Sequence, residues 1–167
     1  FGMEHKDEII EALKDAGYAN VPVISFNVVG MEKMPGFKLT LPLIERMLKT
    51  VVYGDILQKM LTKNRAYEVN KGETQKLFDE WMEKCKKLLE KSTMKQFKQS
   101  IYDIVNDFEK IELDTSVEKP RVGIVGEVLI KYHPFGNNFV ANKLEEEGAE
   151  VVLPDFLGFI KFIASNK

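Results

Sequence analysis

Residues 121–154, RVGIVGEVLIKYHPFGNNFVANKLEEEGAEVVLP, decide how the fold is read. Arg121-Val122-Gly123-Ile124-Val125-Gly126-Glu127 is a β-branched, glycine-punctuated strand. A loop with Pro134 and Gly136 follows, then a helix over about 138–147 closed by Gly148. Glu150-Val151-Val152-Leu153 reads as a second strand, and Asp155 is placed to cap a last helix. Strand, helix and strand in so short a span make a βαβ unit, which requires parallel strands and a right-handed crossover.

An echo of this plan lies upstream. EIIEALKDAGYANVPVIS (8–25) and FVANKLEEEGAEVVLP (139–154) both run from an amphipathic helix through a terminal glycine and a short turn to a buried strand. Gly17 sits where a left-handed C-terminal cap belongs, and Pro22 is tolerable near a strand start. The stretch 27–39, with two glycines and a proline, reads as a loop. Thr40 can cap the next helix, whose apolar face runs to about Lys63. Two strongly periodic helices follow, Leu77 to Leu89 and Met94 to Phe108, with a break near Ser92-Thr93. Between Lys71 and Glu112 nine lysines meet nine acidic residues, a solvated face with no net sign. The fold expected is a three-layer α/β domain with a parallel, Rossmann- or flavodoxin-like sheet. Its strands lie near 21–26, 121–127 and 150–154, and a helical-hairpin insertion occupies about 71–112.

The 167 residues suffice for one domain with a sizeable core. Lys plus Arg number 24 against 26 Asp plus Glu, a balance that argues against a dedicated nucleic-acid or polybasic membrane binder. No apolar run approaches the ~18 residues of a transmembrane helix. The composition describes a cytoplasmic protein. One cysteine, Cys85, excludes an intramolecular disulfide and any thiolate cluster held by this chain alone, and two histidines make no His-rich metal site. The chain opens on Phe1 and ends four residues after an almost wholly apolar helix, so the expectation is a piece of a longer protein. The plainer reading is a small protein with an apolar last helix packed on its own sheet or in a dimer.

The densest polar constellation follows the strand at 121–127: Glu127, Lys131, His133, Asn137 and Asn138. Open α/β sheets place ligands beyond the carboxyl ends of their strands. The start of the following helix, with Lys131 nearby, suits an anion such as a phosphate or an acyl-CoA pyrophosphate. The plainer reading makes Asn137 or Asn138 a helix cap, Glu127 a loop pin and Lys131 a solvated cation. Gly123 and Gly126 make no dinucleotide fingerprint, and no P-loop is present. Gly54 interrupts a helical pattern at a cost of ~1 kcal/mol relative to alanine, for which close packing is the expected reason. Arg65, Tyr67 and Glu68 form a local ion pair, a docking surface or merely a surface turn. Cys85 reads as a buried, inert thiol.

Taken in order, FGM (1–3), AGYANVPVIS (16–25), YGDILQKM (53–60), RAYEVNKGET (65–74) and the whole stretch 119–156 resemble the acyl-CoA dehydratase activase-related proteins of anaerobic bacteria, in their 2-hydroxyglutaryl-CoA dehydratase-like region. Ala66 departs from the proline of that family's R-P-Y-E. The resemblance implies a fragment of an ATP-coupled electron-transfer protein carrying a [4Fe–4S] cluster and serving 2-hydroxyacyl-CoA dehydratase chemistry. The cluster belongs to the parent, not to these residues. The implied partners are other domains of the parent chain and an acyl-CoA dehydratase or acyl-CoA substrate, with no nucleic acid and no membrane. The alternative is a cofactor-free α/β interaction or scaffold domain.

Overall fold

The computed structural model describes residues 4–23 and 40–165. The chain divides into two compact units, Phe1–Leu43 and Ile44–Lys167. In the first, α1 (Glu4–Asp15) ends in a left-handed turn: Gly17 takes φ 82°, its amide donates to Lys14 and that of Tyr18 to Leu13. These two bonds satisfy carbonyls that the helix end leaves without partners. Val21, Pro22 and Val23 form no strand, and the rest of the expected strand and the loop 27–39 lie outside the described residues.

The second unit is built around α2 (Leu41–Tyr67), which starts in the first unit, where the Leu43 amide donates to the Thr40 hydroxyl. No breaker stands between Lys63 and Tyr67, and Ala66 is a strong helix former, so the helix runs a turn past the expected end. α3 (Glu73–Lys91) and α4 (Met94–Glu109) form a hairpin broken at Ser92-Thr93. Thr93 and Gln96 make a reciprocal capping box there. The hairpin's apolar stripes close on α2: Tyr53, Leu57, Trp81, Cys85, Phe97, Ile104, Phe108 and Ile111 form one buried cluster. Tyr53 meets Ser100 at 2.6 Å, and Asn64 donates to the Phe108 carbonyl at 2.8 Å, so these three buried polar side chains are paired.

The strands are short. β1 (Arg121–Gly123) and β2 (Glu150–Val152) pair in parallel, with Val122 opposite Val151. α5 (Val128–Tyr132) and α6 (Val140–Glu146) lie between them in sequence, and α7 (Phe156–Ser165) follows. Gly148 repeats the left-handed cap of Gly17, with φ 89° and the same two backbone bonds, from Gly148 to Glu145 and from Ala149 to Leu144.

The expected three-layer, Rossmann-like parallel sheet is therefore overturned. Among the described residues the chain is mostly helical, with only two short parallel strands. The physical reason is where the buried apolar surface lies. It is concentrated between α2, α3 and α4, while the β-branched run 121–127 makes its last bond to β2 from the Ile124 amide and exposes Val125. Among the described residues no helix is long and apolar enough to cross a membrane.

Candidate functional site

The 124–139 segment follows the carboxyl end of β1, which comes at Gly123 and not at the expected Glu127, so Glu127 lies beyond the strand rather than in it. Glu127 is the N-cap of α5 and accepts from the Ile130 amide at 3.0 Å. Lys131 buries its stem, and its ammonium lies 4.7 Å from the Tyr132 ring centre. The His133 Nδ1 accepts from the Gly136 amide, and the Asn137 side-chain amide donates to the Lys131 carbonyl. Asn138 and Phe139 both hold left-handed backbone, φ 57° and 55°, which is costly for a bulky aromatic. These polar groups tie the loop to itself.

Arg65, Tyr67 and Glu68 tie the end of α2 to α6, β2 and the start of α3 respectively. Arg65 Nη2 donates to Glu145 of α6 at 2.9 Å. Its Nε lies 2.7 Å from the other carboxylate oxygen, within ion-pair range but not aligned as a hydrogen bond. The Tyr67 hydroxyl donates to Glu150 of β2 at 3.1 Å and accepts from the Lys119 amide. Glu68 is buried, and its two oxygens each accept a backbone amide, Gly72 and Thr74, at 2.8 Å. Burial pushes its carboxyl upward, but these bonds and the charge of Lys71 more than offset that and hold it below the usual range.

The Tyr53-Gly54-Asp55 triplet sends its members three ways. Tyr53 enters the core, while Asp55 caps α7, accepting from the amides of Phe156 and Leu157 at 2.7 and 2.8 Å. A carboxylate there satisfies orphan donors and opposes the positive helix end. Gly54 packs against nothing: a Cβ added to it would meet no atom within 4 Å, so close packing is not its reason. It faces a cleft of about 520 Å³ between α2 and the β2–α7 segment.

Val51, Gly54, Gln58, Lys59, Thr62 and Lys63 line one wall of this cleft, and Val152, Leu153, Pro154, Asp155 and Phe156 the other. Arg121, Glu150 and Tyr132 complete it, Tyr132 being the one described side chain of the 124–139 segment that reaches it. The Tyr132 hydroxyl donates to the Pro154 carbonyl, and burial, then the charges of Asp55 and Asp155, push its pKa up. Sequence reasoning missed this cleft, although an unexplained glycine in the middle of α2 was its visible sign.

Cys85 lies in the helical core with its thiol pushed up to about 11 by burial. A thiol walled in by apolar side chains does not fit an iron–sulfur ligand. Compared with known protein families, with curated proteins and with solved structures, the chain matches none.

Proposed function

We propose that this chain is a framing unit of a cytoplasmic, ATP-coupled iron–sulfur electron-transfer protein that serves 2-hydroxyacyl-CoA dehydratase chemistry, inactive by itself. The observation that supports the reading is the way its landmark motifs meet. Asp55 of YGD bonds the backbone after β2, Arg65 and Tyr67 of RAYE bond Glu145 and Glu150, and all of these belong to the segments that carry the family resemblance. Their polar side chains hold one segment against another, which is the work of a frame. Cluster ligands come from outside this chain.

Anaerobic reconstitution of the protein expressed from the complete gene tests the proposal. Iron and acid-labile sulfide should be bound by that protein and not by residues 1–167 alone. A full-length protein that takes up neither sinks the reading. That outcome would favour the second one, a cofactor-free interaction domain. The second reading draws on Val125, Ile130 and Phe135, which stand 82%, 53% and 81% exposed around one loop.

A further inference from the structure

The cleft beside Gly54 is explained by none of the bonds that hold the fold together. Its volume, about 520 Å³, falls among those of small-ligand pockets, and it adjoins the carboxyl end of β2, where parallel strands present ligands. Three features give it a chemical character.

The acids in its walls already have donors. Asp55 faces two amides of α7, Asp155 accepts from Gly158, and Glu150 is shared by Tyr67 and Arg121. Lys59 and Lys63, one turn apart on α2 and both exposed, have no acid partner among the described residues. The side chain of Arg121, 67% exposed, lies at the same cleft. Val51, Val152, Leu153 and Phe156 add apolar surface to the same walls, beside the amide-bonded carboxylates of Asp55 and Asp155. Finally, Gly54 keeps the α2 wall bare where alanine or leucine would stabilise the helix.

We propose that this cleft binds a phosphate ester of nucleotide size, its phosphates on Lys59 and Lys63 and its planar base in the space beside Gly54. This assignment rests on the cleft alone and stands or falls apart from the iron–sulfur reading.

Titration calorimetry of the purified protein with ADP, ribose 5-phosphate and inorganic pyrophosphate tests it. ADP should bind one to one and more tightly than the other two. The double variant Lys59→Glu, Lys63→Glu should raise its Kd at least tenfold, while Lys98→Glu, the same charge reversal on exposed α4, leaves it unchanged. Gly54→Leu should weaken ADP at least tenfold yet raise the melting temperature, a pair of opposite changes that a purely structural glycine does not give. Absence of ADP binding, pyrophosphate binding as tight as ADP, or equal weakening by Lys98→Glu would each overturn the assignment.

Discussion

Glu68 shows how a surface-looking motif becomes interior. In the sequence it closes a charged tetrapeptide after a helix, and nothing there reveals that two amides converge on it. Those amides sit at the start of α3, where Gly72 takes a left-handed φ of 90° in place of a side-chain cap, so the carboxylate supplies the cap from four residues upstream. Because its folded pKa is lowered, the stabilisation is present at pH above the ordinary carboxylate range. It is lost as pH falls through the folded value. Glu68→Gln should therefore lower stability by about 1–3 kcal/mol at pH 7, and the deficit against the parent should shrink steadily towards pH 3 in denaturant titrations. A deficit independent of pH would mean that packing, not charge, is what Glu68 contributes. Cys85 lies at the other extreme: its helical spacing with Trp81 and Leu88 was enough to place it in the interior, where the structure puts it.

Helices were the legible part of this chain. The longer ones carry their own period and end signals, with Gly17, Thr40, the Ser92-Thr93 break and Gly148 marking boundaries through local chemistry, whereas α5 fell in a stretch read as loop. The parallel pairing of β1 with β2 was equally legible, since a short crossover permits little else. Strand length was not. Ile124 and Val125 have the composition of strand residues, but only tertiary pairing decides whether a β-branched residue joins a ladder, and Val125 ends up in solvent. The same blind spot hid the role of α3 and α4, whose charged faces drew attention away from the stripe that builds the core. If that stripe dominates stability, Ile104→Ala, at a site with no exposure, should cost about 2–5 kcal/mol. Val125→Ala should stay within about 0.5 kcal/mol, both measured by urea unfolding. Comparable losses at the two sites would place the core elsewhere.

Across the larger unit, contacts fall into two classes of sequence separation. The α3–α4 hairpin is local, and its capping box and Trp81–Asp107 hydrogen bond bridge short stretches of chain. Polar side chains of α2, by contrast, reach residues far downstream: Arg65 to Glu145, Tyr67 to Glu150 and Asp55 to the start of α7. None of the far partners is visible in the sequence, because a carboxylate's spacing says nothing about which distant helix end it will meet. The Asp55 cap joins residues 101 and 102 positions apart, and this has a kinetic consequence. Closing so long a loop sacrifices chain entropy before any contact repays it, so this cap belongs to the last events on the way to the native state. Interactions formed after the folding barrier leave the folding limb of a chevron untouched and appear wholly in the unfolding limb. Asp55→Ala should accordingly speed unfolding about tenfold, for a loss near 1.4 kcal/mol, with no change in the refolding rate. Slower refolding in that variant would instead put the cap inside the nucleus. If the refolding rate holds, a single aspartate in the middle of α2 lengthens the lifetime of the native state without changing the speed of reaching it.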